Sequence, residues 1–451
     1  MSIKITFYGA AGEVTGSHYV LESAKSRIAI DCGLFQGTAS AHDDNYLPFP
    51  YDPSQLQALI LTHAHLDHVG RLPKLVKDGF RGKIFTHPAT ADLAALILED
   101  AAKVMIDHLE TEEEPLYHPS DVEAVLDLFE LVEYQTPVKI TADITAKFFD
   151  AGHILGSASV RVESAGQSVV FSGDIGNHPV PLLNQPVTPE PADLVIMEST
   201  YGGRLHDDPQ TRKQKLLEVF KRLVKARGVL MIPAFAIERT QELLYELNEM
   251  ANQGLLPTIP VYLDSPLATA VTRVYQQYHT LFDAGAKLAY SHDREIFSFP
   301  NLSITESSEQ SKAILAASDP KIIIAGSGMM EGGRIIHHAA NYLAEPHNFL
   351  LFVGYQGQGT LGRMLFDGKK QVKIKGQTVK VRAKLMAITA YSSHADQPGL
   401  LAWLADFRRP PQQIALVHGE PEAAAALAKS IKLSAKIYRP SRGQSIIVGQ
   451  V

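Results

Sequence analysis

The sequence contains almost no cysteine, and this excludes two kinds of cross-link. Its one cysteine, Cys32, has no partner for a disulfide within the chain. Zinc sites built from several thiolates are excluded for the same reason, so a metal site would need histidine, aspartate and glutamate. Such sparing use of cysteine is typical of a reducing compartment, and we expect a cytoplasmic protein.

Long hydrophobic runs and an excess of positive charge are also missing. No run reaches the roughly 20 apolar residues that a membrane-spanning helix needs, so we expect no membrane protein. The start, MSIKITFYG, alternates like a strand and predicts no signal peptide. The formal net charge of -7 argues against the generally basic surface of proteins that coat duplex DNA. It does not exclude a local basic channel.

What the sequence does contain is an ordinary globular composition, with 45% hydrophobic and 20% charged residues among 451. That length predicts two or three domains. Residues 1–205 and 367–451 are rich in strands with helices between them, whereas residues 206–366 alternate helices with short, continuously apolar strands such as VLMIP. The second pattern predicts a parallel sheet covered on both faces. We therefore predict a strand-rich domain, 1–205 and 367–451, that is interrupted by an inserted α/β domain, 206–366.

Four ligand-type side chains lie within six consecutive residues of the segment THAHLDHVG, residues 62–70. His63 and His65 are one residue apart on extended backbone, so they point the same way and can chelate one ion. Asp67 and His68 lie around the turn and face a neighbouring position. A polar loop that caps a helix is the structural alternative, but four ligand types so close together favour two adjacent metal ions.

Three more ligand candidates stand at the ends of apolar strands, each beside a glycine turn. They are His153 in DAGHILGSA, Asp174 in FSGDIG and His418 in LVHGE. Each of them alone could equally be a turn residue with local hydrogen bonds. Their shared position at strand ends favours a common site.

These motifs resemble those of the metallo-β-lactamase fold. Asp31, the cluster from His63 to His68, His153 and Asp174 follow the first four motifs of that superfamily in order. The resemblance implies an αββα sandwich. By resemblance, one zinc would be held by His63, His65, His153 and Asp174, and a second by Asp67, His68, His418 and the shared Asp174. Manganese is the alternative in the oxygen-rich second position.

Three further motifs resemble the β-CASP branch, nucleases related to the cleavage-and-polyadenylation endonuclease. They are ESTYGGR at Glu198, AYSSHAD at His394 and LVHGE at His418. This resemblance covers essentially the whole chain and implies that the insert is a parallel-sheet α/β β-CASP domain. Lacking the leading extensions of archaeal relatives and the long tail of ribonuclease J, the chain is similar to the compact bacterial form.

The resemblance implies a zinc-dependent ribonuclease that cuts single-stranded RNA internally. DNA-directed members typically lack a histidine at the last motif, so His418 favours RNA. A hydroxide that bridges the two metals would attack phosphorus and leave 3′-hydroxyl and 5′-phosphate ends. His394 would be the general acid and Glu198 would hold its imidazole protonated, while Asp67 and Asp31 complete the catalytic set. The alternative for His394 is a solvent-facing loop histidine.

The insert offers a candidate phosphate site in AGSGMMEGGRIIHH, a glycine-rich loop between a strand and a helix. Ser327 and Gly328 are the expected contacts, with Arg334 as a bidentate partner and Tyr355 as a base-stacking residue. A tight connection without a ligand is the alternative. Residues 206–366 contain 15 basic and 16 acidic residues, so binding would need a focused cleft, which suits a single strand.

Two other functions stay open at this point. The first is a metallo-hydrolase of a small thioester or phosphodiester, as in other branches of the superfamily, although the large insert counts against it. The second is an inactive RNA-binding scaffold, although such paralogues usually lose metal ligands. We expect single-stranded RNA as partner, and a homodimer is compatible with the sequence.

Overall fold

The computed structural model describes residues 2–37, 39–108 and 114–450, which form two compact units. Unit 1 comprises Met1–His178, Asn184–Leu205 and His394–Val451, and unit 2 comprises Pro179–Leu183 and His206–Ser393. Within the described ranges, no helix is long and apolar enough to cross a membrane.

The strands in chain order are β1 (Lys4–Gly9), β2 (His18–Glu22), β3 (Arg27–Ile30), β4 (Ala58–Ile60), β5 (Lys83–Thr86), β6 (Phe129–Leu131), β7 (Val138–Lys139), β8 (Thr145–Asp150), β9 (Ala158–Ser164), β10 (Gln167–Phe171), β11 (Leu194–Glu198), β12 (Val229–Pro233), β13 (Val261–Asp264), β14 (Leu302–Ile304), β15 (Lys321–Ala325), β16 (Phe349–Phe352), β17 (Gln371–Ile374), β18 (Gln377–Lys380), β19 (Lys384–Ala387), β20 (Gln413–Val417), β21 (Lys436–Tyr438) and β22 (Ser445–Ile447).

The helices are α1 (Ala39–Tyr46), α2 (Leu66–Val69), α3 (Leu72–Lys77), α4 (Pro88–His108), α5 (Pro119–Leu126), α6 (Arg212–Ala226), α7 (Arg239–Asn252), α8 (Pro266–Gln277), α9 (Ala284–His292), α10 (Ser308–Ala313), α11 (Gly333–Tyr342), α12 (Leu361–Phe366), α13 (Gln397–Ala405) and α14 (Pro421–Ser430). Short 3-10 turns lie at Pro53–Gln55, Pro209–Thr211, His279–Leu281, Ile314–Ala316 and Thr389–Tyr391.

Unit 1 is a sandwich of two seven-stranded sheets. The strand orders are β22-β1-β2-β3-β4-β5-β6 and β21-β20-β11-β10-β9-β8-β7. Apolar side chains from both sheets, including Phe7 and Phe148, form one core between them. On the outer face of the second sheet, Trp403 of α13 and Leu427 of α14 pack against strands β10 and β11. This arrangement confirms the predicted sandwich of the metallo-β-lactamase type.

Unit 2 is built on a six-stranded sheet of order β14-β13-β15-β12-β16-β19, in which every neighbouring pair is parallel. Strands β12, β15 and β16 are buried along their whole length, as continuous apolar strands of a parallel sheet should be. The separate two-stranded hairpin β17-β18 packs on the same core through Val372 and Ile374. The predicted inserted α/β domain is therefore present.

Unit 2 extends beyond residue 366, where we predicted the return to the first domain. Strands β17, β18 and β19 all lie in unit 2, and the chain re-enters unit 1 at His394. Strand β19 belongs to the parallel sheet because Phe349–Phe352 pairs with it residue by residue. The two ends of unit 2 are joined by an exchange of hydrogen bonds: the N–H of Asp207 donates to Oγ1 of Thr389 at 2.9 Å, and the N–H of Thr389 donates to Asp207 at 3.0 Å.

A buried ionic network crosses the helices of unit 2. The Arg212 guanidinium donates to Glu246 at 2.6 and 2.8 Å and to Glu242 at 2.6 Å. Arg239 pairs with the other oxygen of Glu242, and the Tyr391 hydroxyl donates to Glu246. All five side chains are buried. Each charge is therefore compensated. Removal of one partner would leave the other charge buried without a counter-ion and without water to solvate it.

We predict that Arg212→Met lowers the free energy of unfolding of unit 2 by about 3 to 5 kcal/mol, because it leaves buried carboxylates without their cation. Urea denaturation followed by circular dichroism measures this loss. Arg222→Met is the matched control, because Arg222 is exposed on the same helix and should cost less than about 0.5 kcal/mol. Equal losses in both variants would contradict the role given to the network.

Candidate metal centre

The histidine cluster lies where strand β4 runs into helix α2. His63 lies three residues after the end of β4, His65 directly precedes α2, and the helix itself contains Asp67 and His68. The chain passes very close at Gly33, where a Cβ atom would lie 1.5 Å from the carbonyl oxygen of Asp67, so only glycine fits. The local fold thus presents four ligand side chains on one short segment.

The other predicted ligands follow strands of the second sheet of unit 1. His153 lies after β8, Asp174 after β10 and His418 directly after β20. Gly173 precedes Asp174 with a φ of 57°, and a Cβ atom there would lie 2.8 Å from the carbonyl oxygen of Ala158. The turn that presents Asp174 therefore requires a glycine.

The described residues contain three groups whose potential ligand atoms lie no more than 4.8 Å apart: two clusters of predicted ligands, and a third group of Asp174, Glu198 and His394. The first cluster comprises His63, His65, His153 and Asp174, and the second comprises Asp67, His68 and His418. The structure thus brings together all seven residues that the sequence analysis gave as ligands.

The Asp174 carboxylate lies between the two clusters. Its Oδ2 atom is 3.4 Å from Nε2 of His63 and 3.5 Å from Nε2 of His153. Its Oδ1 atom is 3.5 Å from Nε2 of His68 and 3.6 Å from Nδ1 of His418. Each oxygen therefore faces a different cluster, which is the arrangement that a ligand shared by two adjacent cations needs.

The protonation states in the first cluster suit a cation. Burial lowers the pKa of His63 to about 3 and that of His65 to about 4, so both imidazoles are neutral near pH 7. Burial alone would raise the pKa of Asp174, but the surrounding imidazoles, His418 foremost, lower it well below its ordinary value. Nε2 of His63 and Oδ1 of Asp174 are buried without a hydrogen-bond partner. Such atoms are costly to bury unless a cation pairs with them, so the donor set fits a divalent metal.

Asp31 lies behind the second cluster and orients one of its members. Its carboxylate accepts hydrogen bonds from the N–H and Oγ1 of Thr62, both at 2.8 Å, and lies 2.8 Å from Nδ1 of His68. This contact directs Nε2 of His68 towards the metal position. Asp31 has a left-handed backbone with a φ of 54°, and its carbonyl oxygen accepts a 2.6 Å hydrogen bond from Nδ1 of His18.

His394 and Glu198 form a pair beside Asp174. Nδ1 of His394 lies 3.2 Å from both carboxylate oxygens of Glu198 and 3.9 Å from Oδ2 of Asp174. The N–H of Ile175 donates to Glu198 at 2.6 Å and holds this carboxylate in place. Burial lowers the pKa of His394, but Glu198 and Asp174 together outweigh it and raise the pKa to about 9. The imidazole is therefore protonated near pH 7, as a general acid must be.

The residues predicted to bind phosphate lie in unit 2, on loops at the carboxyl edge of its sheet. Ser327 and Gly328 follow β15, and Tyr355 follows β16; these two strands flank β12. The Gln356 side-chain amide donates to the carbonyl oxygen of Gly328 at 3.0 Å and so joins the two loops. The two loops therefore lie at one edge of the sheet.

Arg334 has a different environment from the one that the sequence predicted. Its guanidinium donates to the Asp264 carboxylate at 2.7 Å and to the carbonyl oxygens of Thr305 and Glu306 at 3.0 and 2.8 Å. Asp264 is fully buried and needs a cation beside it. A phosphate would have to compete with this carboxylate for Arg334.

Sequence reasoning missed three residues that support the centre. Thr62 holds the Asp31 carboxylate and His18 holds its backbone, as described above, while Oγ1 of Thr200 lies 3.0 Å from Nδ1 of His418. Thr62 lies in the motif THAHLDHVG and Thr200 in ESTYGGR, so their positions within these motifs could have indicated a supporting role. His18 stands within strand β2, and the sequence contains no signal for its role.

Three family models match the chain. The model described as the metallo-beta-lactamase superfamily matches residues 11–234, and the Beta-Casp domain matches residues 240–365. A third, described as the Zn-dependent metallo-hydrolase RNA specificity domain, matches residues 378–440. Together they cover most of both units.

Curated relatives match over nearly the whole chain. The ribonuclease TTHA0252 of Thermus thermophilus is 40% identical, with 96% of each chain covered. The RNase J-like protein of Methanocaldococcus jannaschii is 31% identical, with 98% of this chain and 99% of the relative covered. The transcription termination factor FttA of Methanosarcina mazei is 32% identical over 96% of this chain and 70% of its own length.

A solved structure shares the fold. A protein of unknown function from Enterococcus faecalis superposes with a TM-score of 0.57 at 12% identity, covering 99% of this chain and all of its own. At that identity the likeness concerns the fold alone. The family models and the relatives agree with the sandwich, its inserted parallel sheet and the clustered ligand-type residues. The chain therefore belongs to the β-CASP branch of the metallo-β-lactamase superfamily.

Proposed function

We propose that this chain is a metal-dependent ribonuclease that cuts single-stranded RNA internally with two zinc ions, leaving 3′-hydroxyl and 5′-phosphate ends. The names of the relatives support RNA as substrate, since two of them are called ribonucleases or ribonuclease-like. The observation that carries the proposal is the protonated His394–Glu198 pair, 3.9 Å from the carboxylate that links the two ligand clusters. An acid beside a two-metal site is what phosphodiester hydrolysis requires.

The metal assignment follows the donor chemistry. His63, His65, His153 and Asp174 would hold one ion, and Asp67, His68, His418 with the shared Asp174 the other. The two ions would supply activation of water and neutralisation of the phosphate charge. Imidazole and carboxylate donors without thiolate suit zinc, with manganese as the competitor in the second position.

The protein side chains then perform positioning and proton transfer. His394 would donate its proton to the leaving 3′ oxygen, and Glu198 would keep the imidazole charged and oriented until the bond breaks. Asp31 would keep His68 in the tautomer that leaves Nε2 free. Ser327, Gly328 and Tyr355 would bind the substrate in unit 2 through phosphate contacts and base stacking, with Arg334 as a weaker contributor because Asp264 already engages it.

We predict that an end-labelled single-stranded RNA is cut at internal positions and that the new ends carry 5′-phosphates. His394→Ala should keep its bound metal but lose about 10² to 10⁴ in rate, the usual contribution of a general acid. His178→Ala is the matched control, because His178 is an exposed histidine in unit 1. If the metal-loaded protein leaves RNA intact but hydrolyses a small thioester, the proposed ribonuclease is wrong. The small-molecule hydrolase is then the better assignment.

Metal analysis tests the shared role of Asp174. We expect Asp174→Ala to lose at least one of two ions, because each oxygen of this carboxylate faces one cluster. Inductively coupled plasma mass spectrometry of the purified variant gives the count. The control Asp406→Ala removes an exposed aspartate of the same unit and should leave the number of bound ions unchanged. Full occupancy in Asp174→Ala would refute the bridging assignment.

The pH dependence of cleavage tests the Glu198–His394 pair. Glu198 and Asp174 raise the pKa of His394, so the acid is protonated below this raised pKa and cleavage should fall as the pH rises through it. Glu198 lies outside the ligand set, so its contribution persists when cations neutralise Asp174. In Glu198→Gln the alkaline limb of the kcat/KM profile should therefore move to lower pH, with metal content unchanged. An alkaline limb that stays in place would exclude His394 as the group responsible.

A further inference from the structure

The hairpin of strands β17 and β18 carries an unusual run of positive charge. Between residues 369 and 384 there are seven basic residues and no acidic one. We call this segment, residues 369–384, the basic hairpin. Its cations are Lys369, Lys370, Lys373, Lys375, Lys380, Arg382 and Lys384, and all seven are exposed.

The basic hairpin changes the charge balance of the whole unit. Unit 2 contains 22 basic and 17 acidic residues, an excess of 5 positive charges. Unit 1 contains the remaining 20 basic and 32 acidic residues, so the net charge of -7 hides an uneven distribution. Without the seven cations of the hairpin, unit 2 would be slightly negative. The hairpin therefore contributes more net positive charge than the unit carries as a whole.

The strand geometry places two of these cations, Lys373 and Lys380, on one face. Val372 and Ile374 point into the core of unit 2, so Lys373 between them points outward, and the exposed Lys375 follows in the turn. Across the antiparallel ladder, Lys373 pairs with Thr378, and Gln371 pairs with Lys380. The outward face thus carries lysines with neutral neighbours. No carboxylate stands opposite to neutralise them.

The surrounding side chains leave the charge available. Among the described residues, none of the seven cations forms an ion pair with a carboxylate. Lys375 instead lies 2.8 Å from the ring of His337, and Lys384 lies over the ring of Phe349. Three other lysines of the unit do pair with carboxylates: Lys213 with Glu249, Lys215 with Asp207 and Lys321 with Asp319. An uncompensated basic surface of this kind attracts a polyanion.

We propose that the basic hairpin binds the phosphate backbone of the RNA substrate through its charge and takes no part in cleavage. This inference rests on the proposed ribonuclease function and adds a surface for the body of the strand. The outward face of the hairpin has no large apolar side chain to insert into a lipid bilayer. Phe366, which is 43% exposed just before the hairpin, offers a ring on which a base can stack.

Salt dependence of RNA binding tests the proposal directly. In a His394→Ala background loaded with zinc, the dissociation constant for labelled oligouridylate is measured by fluorescence anisotropy over a range of salt concentrations. Each lost phosphate contact lowers the slope of log affinity against log salt by about 0.7 for a single strand. The triple variant Lys373→Gln, Lys375→Gln, Lys380→Gln should lose about 2 from that slope and roughly 100-fold in affinity at 0.1 M salt.

The matched control removes three cations from another surface of unit 2. Lys221, Arg222 and Lys225 are exposed on helix α6, and their replacement by glutamine changes the net charge by the same amount. We expect this control to retain the slope of the parent protein. Equal loss in both triple variants would mean that total charge alone matters, and an unchanged slope in the hairpin variant would also overturn the proposal.

Cleavage by the otherwise wild-type protein separates this inference from the proposed function. With the hairpin substituted, KM for a long RNA should rise while kcat and the cleavage of a dinucleotide stay unchanged. If the wild-type protein cleaves RNA and the hairpin variant has the same KM, the proposed RNA-binding role of the hairpin is wrong, but the ribonuclease function stands. Wild-type protein that binds two metals and leaves RNA uncut would refute the ribonuclease itself, whatever the hairpin binds.

Discussion

A buried carboxylate among imidazoles is the constraint on which the centre of unit 1 depends. Asp174 is almost fully buried and lies within 3.6 Å of four histidine nitrogens, which come from three different parts of the chain. So many buried polar groups are stable only when their charges and lone pairs are matched. The strand ends, the glycine turns and the Asp31 contact all hold these side chains at a fixed spacing.

The sandwich provides that spacing because both of its sheets end at the same place. The first sheet delivers the segment after β4, and the second delivers the turns after β8, β10, β11 and β20. Long-range pairing of strands far apart in sequence thus brings residue 31 beside residue 68 and residue 198 beside residue 394. Substitutions in the interior of the sheets would move these ligands without touching them, since packed cores transmit displacement.

Much of this arrangement could be predicted from the sequence, because ligand types are rare and their motifs stand at strand ends. The αββα fold and the candidate ligand set were implied by the family resemblance of the motifs around His63 and Asp174, and the inserted parallel sheet was also predicted from its continuously apolar strands. Support from His18 could not be predicted, since a strand histidine carries no local signal and its contact with Asp31 depends on the backbone. The end of unit 2 was missed because the strands after residue 366 alternate like those of unit 1. The ion pair of Arg334 with Asp264 could not be predicted, because 70 residues separate the two.

The hydrogen bonds between Asp207 and Thr389 have a consequence for how such a protein arises and can be rebuilt. They bring the two ends of a segment of more than 180 residues within 3 Å of each other. To the sandwich that receives it, the segment is then equivalent to a short surface loop, which adds little closure entropy. An inserted domain of this kind can be exchanged as a whole between host domains. Unit 2 could therefore be replaced by another inserted domain while unit 1 is kept.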